Sequence, residues 1–125
     1  MAKTFVFLGS ISAFLAVAMG AFGAHALRHR LTADMLAIYQ TGVQYHLFHA
    51  LGLVAVGLLA QWMPQSGYLK WSGWLMLAGI VLFSGSLYTL TMSGIRGLGS
   101  ITPFGGAAFL VAWALMALAA VKGVE

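Results

Sequence analysis

Residues 41–60 read TGVQYHLFHALGLVAVGLLA, twenty consecutive residues without a charged side chain. An α-helix of this length covers about 30 Å, the thickness of the hydrocarbon core of a bilayer. The second half of the stretch is apolar, whereas the first half carries Thr41, Gln44, Tyr45, His46 and His49. The stretch therefore predicts a membrane-spanning helix with a polar first half.

The composition of the whole chain also indicates a membrane protein. Of its 125 residues, 62% are hydrophobic and only 6% are charged, whereas soluble domains average about 25% charged residues. Such a chain cannot cover itself with polar surface in water, and its length predicts one domain, residues 1–125. It has no cysteine, which excludes disulfides and thiolate metal sites. Its six scattered Lys and Arg residues are too few for binding nucleic acid.

Four apolar segments predict an all-α fold, a four-helix integral membrane bundle. The predicted helices cover about residues 5–24, 34–63, 71–93 and 101–121. Thr32 is the predicted N-cap of helix 2, and Pro103 suits the first turn of helix 4. The N-terminal segment resembles a cleavable signal, with Lys3 before the apolar run and an Ala-x-Ala sequence after it. Its 20-residue apolar run instead predicts a retained helix.

Four crossings sort the basic residues by type. Lys3, Lys70 and Lys122 fall on one side of the membrane. The other side carries the loops with Arg28, Arg30 and Arg96, and we call this end of the bundle the arginine pole. Because the count is three against three, the positive-inside rule does not set the orientation. Arg binds phosphate by two-pronged hydrogen bonds, which favours an anionic ligand at the arginine pole.

Small residues recur every four positions in helix 1. The stripe consists of Ser12, Ala16, Gly20 and Ala24. Such stripes allow membrane helices to approach closely. The stripe indicates packing within one bundle, and a seam between copies in a homo-oligomer is the alternative.

The polar first half of helix 2 directs the search for a binding site. Polar groups within a membrane are costly unless they face protein or water. We therefore expect this half to face the bundle interior or a water-filled indentation, and all four histidines to lie at the arginine pole. The candidate ligand-binding residues are Arg28, Arg30, Arg96, His25, His29, Gln44, Tyr45, His46 and His49.

Two kinds of cofactor site are disfavoured by the residues available. A histidine metal site would lack anionic ligands, because the only acids are Asp34 and Glu125. His46 and His49 share a helix face, so one of the other two histidines would have to supply the opposite axial ligand of a haem. No cofactor is therefore expected.

Several functions remain open. The leading hypothesis is a non-enzymatic membrane protein that binds a lipid headgroup, or a membrane protein partner, through the arginine pole. A small transporter or channel component, moving a solute or protons past His46 and His49, is the alternative. A membrane enzyme is the second alternative, although no motif joins a serine, a histidine and an acid. The histidines would equally well serve as structural hydrogen-bonding groups between helices.

Four motifs in order resemble a known family. They are GAFGAHALR (20–28), YQTGVQYHLFHAL (39–51), LFSGSLYTL (82–90) and LGSITPFGG (98–106). Together they resemble the small bacterial inner-membrane proteins grouped as domain of unknown function 423, and a small eukaryotic transmembrane family is similar. The resemblance implies a four-helix, multi-pass protein of the bacterial inner membrane. It implies no biochemical activity and supplies no catalytic residues.

Overall fold

The computed structural model describes residues 1–123 and consists of four long helices with short connections. Their bounds are Ala2–Leu27 (helix 1), Ala33–Ala60 (helix 2), Gly67–Ser93 (helix 3) and Thr102–Lys122 (helix 4). All four are long and apolar enough to cross a membrane, and residues 1–123 contain no strand. The predicted fold class is confirmed.

Side-chain caps set where two of the helices begin. The hydroxyl of Thr32 accepts a hydrogen bond from the backbone N–H of Met35 at 3.2 Å, which confirms the predicted cap of helix 2. Helix 3 begins at Gly67, four residues before its predicted start, because Ser66 caps the N–H of Leu69 at 3.3 Å. Helix 2 ends at Ala60, earlier than the predicted residue 63. A 3₁₀ turn, Arg96–Ser100, precedes helix 4.

Two helices contain a π-helical turn. Helix 1 changes from α to π at Gly23–Leu27, and helix 3 does so at Ile80–Ser84. The ring of Tyr39 from helix 2 occupies the space that a Cβ on Gly23 would need. Its hydroxyl donates to the carbonyl of Met19 at 2.5 Å, one turn before the π segment. The wider turn of helix 1 thus lies where a side chain of helix 2 contacts its backbone.

The packing order follows the chain. Helix 1 lies along helix 2, helix 4 lies along helix 3, and helices 2 and 3 pack against each other in the centre. In each central helix, 44% of the most apolar 18-residue stretch is buried, whereas in each outer helix 22% of that stretch is buried. Ser12 and Ala16 of the predicted stripe are buried in helix 1, which supports packing within the bundle.

The apolar core lies toward the lysine end of the bundle, which we call the lysine half. Its fully buried residues come from all four helices: Phe5, Leu53, Val56, Ala60, Leu69, Met76, Ala112 and Ala119. Gly9 permits the backbones of helices 1 and 2 to approach, because a Cβ there would collide with Val54 and with the carbonyl of Ala50. The half nearer the arginine pole, the arginine half, is held differently.

Candidate functional site

The arginine pole is an exposed cationic surface. His25 lies in the π turn that ends helix 1, and Arg28, His29 and Arg30 follow it in the connecting turn. Arg96 opens the 3₁₀ turn before helix 4. All five side chains are exposed. The structure therefore places these basic residues at one end of the bundle.

One ion pair at the arginine pole links the turn before helix 4 to the start of helix 2. The Arg96 guanidinium lies 3.6 Å from the Asp34 carboxylate, in the first turn of helix 2. Both side chains are more than 60% exposed, so the pair contributes little to stability. No carboxylate of residues 1–123 pairs with Arg28 or Arg30. The guanidinium groups of those two arginines are therefore open to an external anion.

The polar first half of helix 2 faces the interior only in part, through the buried side chains of His46 and His49. Gln44 and Tyr45 are exposed, as are Gln40 and Thr41, and most of the buried residues of this helix lie in its second half. Length accounts for part of the exposure. The helix has 28 residues, about 42 Å, and therefore extends beyond ~30 Å of hydrocarbon. The excess of about 12 Å covers at most about eight residues, so it accounts for the exposure of Gln40 and not for that of Gln44 and Tyr45.

His46 is buried and joins three helices. Its Nε2 lies 3.0 Å from the hydroxyl of Ser12 on helix 1, and its Nδ1 lies 2.8 Å from the hydroxyl of Tyr88 on helix 3. A hydroxyl can donate or accept, so both tautomers of this imidazole can be accommodated. The chain Ser12–His46–Tyr88 is thus able to reverse the direction of its hydrogen bonds without moving a heavy atom.

His49 is also buried, but its partners permit one tautomer. Its Nδ1 lies 2.7 Å from the carbonyl of Tyr45, which can only accept, so Nδ1 carries the proton. Its Nε2 accepts the indole N–H of Trp113 at 3.0 Å. A second proton on Nε2 would face that N–H and break the bond. The ring also stacks on Phe109, with centroids 3.5 Å apart. The surroundings therefore hold His49 as a neutral imidazole.

The predicted site divides into three places. His25, His29 and the three arginines are together at the arginine pole, while Gln44 and Tyr45 lie on the exposed face of helix 2. His46 and His49 are near the middle of helix 2 and not at the pole, which corrects the expectation for all four histidines. The reason is geometric, because each residue advances about 1.5 Å and these two lie four turns into the helix.

The histidine partners Ser12, Tyr88 and Trp113 were absent from the predicted site. Of these three residues, Trp113 is the one whose position in the sequence best indicates a hydrogen bond inside the bundle. It lies in the middle of an apolar helix and not at an interface, and a buried indole N–H needs an acceptor.

The contact between Ser12 and His46 also has the two groups of a catalytic nucleophile and its general base. Hydrolases add donors for the oxyanion, whereas backbone N–H groups in the interior of these helices are already paired. Among residues 1–123, no three His, Asp or Glu side chains are placed to share a metal ion.

Comparison with known proteins gives the family. The family model described as protein of unknown function (DUF423) matches residues 19–106. The UPF0382 membrane protein YwdK of Bacillus subtilis (strain 168) is 52% identical over 120 residues, which cover 96% of this chain and 98% of the relative. A UPF0382 membrane protein of Staphylococcus saprophyticus is 42% identical over 120 residues, with 96% and 98% coverage. No solved structure matches. The chain is a membrane protein, and it belongs to the DUF423 family.

Proposed function

We propose that the protein binds the phosphate group of an anionic phospholipid headgroup at the arginine pole, without catalysing a reaction. The observation that carries the proposal is the pair of exposed guanidinium groups, Arg28 and Arg30, with no carboxylate partner in residues 1–123. Guanidinium groups match phosphate oxygens in two-pronged geometry. The bacterial relatives support a place in the cytoplasmic (inner) membrane, whose anionic lipids would supply the ligand.

The surroundings of the two arginines favour an anion. Both precede the start of helix 2, whose first turn has unpaired backbone N–H groups and the positive end of the helix dipole. The contact of Arg96 with Asp34 holds a third guanidinium beside the same turn. One negative charge at the pole, that of Asp34, stands against three positive charges, so the local balance favours a phosphate.

The test is lipid retention in native mass spectrometry after mild delipidation, with phosphatidylglycerol compared with phosphatidylcholine. Each basic residue near a membrane surface contributes about 1 kcal/mol of attraction. Arg28→Ala with Arg30→Ala should therefore lower phosphatidylglycerol retention about 30-fold. The double Arg→Lys variant should also lose retention, although it keeps both charges, because an ammonium cannot make the paired hydrogen bonds.

The lysine end of the bundle supplies the matched control. Lys→Arg at positions 3, 70 and 122 should leave lipid retention unchanged. If the Arg→Lys variant retains lipid like the parent, the arginines are ordinary interfacial anchors. If the double Ala variant also retains lipid, a membrane protein partner at this surface becomes the better hypothesis.

Proton transfer is the second candidate function, and the reversible chain Ser12–His46–Tyr88 favours it. His49 favours proton transfer less, since the Tyr45 carbonyl can only accept a hydrogen bond and the Trp113 indole N–H can only donate one. Under the lipid-binding proposal, liposomes with the purified protein should keep an imposed pH gradient as long as empty liposomes do. A gradient that collapses with the parent and persists with His46→Phe would support proton transfer instead.

A further inference from the structure

A groove in the arginine half runs between helices 2, 3 and 4 and opens at the surface of the bundle. Its volume is about 590 Å³. The walls are aromatic and apolar, formed mainly by Tyr45, Phe83, Phe109, Leu110 and Trp113. The rings of Tyr45 and Phe83 pack with centroids 4.5 Å apart. The hydrogen bond between Trp113 and His49 lies at the deep end.

The groove has the length of one leaflet. Its lining along helix 4 extends from Pro103 to Trp113, about 15 Å at ~1.5 Å per residue. Half of a hydrocarbon core of about 30 Å is also about 15 Å. Helix 4 has 21 residues, about 31 Å, so its first turn, with Pro103, lies at the headgroup boundary of the arginine pole. The groove therefore extends from that boundary to about the middle of the membrane.

The width of the groove fits one hydrocarbon chain. A volume of about 590 Å³ over about 15 Å gives a cross-section about 7 Å across. An α-helix with side chains is about 10–12 Å in diameter and is therefore wider than this average. An acyl chain fits this width and would contact aromatic faces along its whole length.

One polar group in the wall of the groove has no partner. The Tyr45 hydroxyl makes no hydrogen bond with residues 1–123, and the side chain is 39% exposed. Side chains on a helix lean toward its N-terminus, and the N-terminus of helix 2 is at the arginine pole. The Tyr45 hydroxyl is therefore directed along the groove toward the headgroup boundary. The ester carbonyls of phospholipids lie at that boundary and accept hydrogen bonds.

We propose that the groove holds one acyl chain of the phospholipid whose phosphate is bound at the arginine pole, with the Tyr45 hydroxyl donating to its ester carbonyl. The link between chain and headgroup rests on the function proposed above. Tyr45 would be the polar contact of the chain, because both nitrogens of His49 already have partners. The ligand class is a diacyl anionic phospholipid.

The test uses phosphatidylglycerol with a photoactivatable diazirine in one acyl chain, crosslinked to the protein in vesicles and mapped by peptide sequencing. Crosslinks should concentrate at the groove residues of helices 3 and 4. Ala107→Trp fills the groove and should lower this labelling at least fivefold. Ala18→Trp, on the exposed face of helix 1, is the matched control and should change nothing. Tyr45→Phe should lower the labelling about threefold.

The outcomes separate the groove from the arginine site. Labelling spread evenly over the outer faces of helices 1 and 4, and unaffected by Ala107→Trp, would overturn the groove proposal while leaving the Arg→Lys retention test valid. Groove labelling that is equal with phosphatidylcholine would support the acyl-chain assignment and overturn its link to the arginines. A disulfide between two copies of an Ala107→Cys variant, formed with loss of lipid labelling, would assign the groove to a second copy.

Discussion

The lysine half and the arginine half of the same four helices are held together by different forces. In the lysine half, fully buried apolar side chains from every helix form one cluster, and Ser72 donating to the carbonyl of Ala112 makes its one interhelical side-chain hydrogen bond within residues 1–123. From the level of His49 and Trp113 toward the arginine pole, the side chains that make interhelical hydrogen bonds are those of Tyr39, His46, Ser84, Ser86 and Trp113. Interhelical side-chain hydrogen bonds are therefore concentrated in the arginine half.

The difference indicates where this fold can accommodate a ligand. Lipid is as apolar as a helix surface, so close packing and hydrogen bonds, not the hydrophobic effect, hold membrane helices together. Close packing leaves little space between helices, as around the fully buried cluster of the lysine half. Hydrogen bonds join helices at points and leave gaps between those points. The groove lined by Tyr45, Phe83 and Phe109 is such a gap, and it lies next to the arginine pole.

The largest expected effect comes from separating helices 1 and 2 in the lysine half. Gly9→Leu places a side chain against the backbone N of Val54 and the carbonyl of Ala50. It should lower the free energy of unfolding by about 3 kcal/mol, at the upper end of overpacking costs. The measurement is a sodium dodecyl sulfate titration in mixed micelles. Gly85→Leu is the matched control, because a Cβ at Gly85 has no neighbour within 4 Å. An equal loss in both variants would show that packing does not dominate this half.

A smaller loss is expected from His46→Leu, which removes two interhelical hydrogen bonds. Such bonds contribute roughly 0.6 to 1.7 kcal/mol each, so the free energy of unfolding should fall by about 1–3 kcal/mol. The double variant with Ser12→Ala completes a mutant cycle. Its loss should be smaller than the sum of the two single losses, by the coupling of one hydrogen bond. Simple additivity would mean that the contact of Ser12 with His46 contributes nothing.

A single bond in the arginine half should contribute less again. Ser84→Ala removes the donor to the Gly42 carbonyl at 2.7 Å and should cost about 1 kcal/mol of unfolding free energy in the same titration. Ser93→Ala provides the comparison, because that exposed hydroxyl bonds only within its own helix and loop. A Ser84→Ala variant as stable as the parent would argue that hydrogen bonds do not hold this half.

The smallest effect on stability is expected from Asp34→Asn at the arginine pole. The exposed pair with Arg96 contributes about 0.2–1 kcal/mol, so unfolding should hardly change. Retention of phosphatidylglycerol should rise about fivefold, because the change removes a negative charge worth about 1 kcal/mol beside the anion. Native mass spectrometry measures the retention, with phosphatidylglycerol compared with phosphatidylcholine as before. A fall in retention would place Asp34 within the ligand site and contradict the charge argument.

Particular residues show how much of the candidate site could be predicted from the sequence. The loops with Arg28, Arg30 and Arg96 were predictable at one end, because alternating crossings assign loops to sides without any knowledge of packing. The exposure of Gln44 and Tyr45 was not predictable from the cost of polar groups in lipid. Their exposure depends on the rotation of helix 2 against the helices beside it, which no local pattern of the sequence sets.

The sequence by itself determined the four crossings, the Thr32 cap and the separation of arginine from lysine, because hydrocarbon thickness, caps and loop charges act locally along the chain. The tertiary structure alone decided that His46 and His49, three residues apart, have different chemistry. Their ring nitrogens are matched by Ser12, Tyr88 and Trp113, residues 34 to 64 positions away. Only the rotation and depth of each packed helix determine whether an imidazole meets a reversible hydroxyl or a fixed donor.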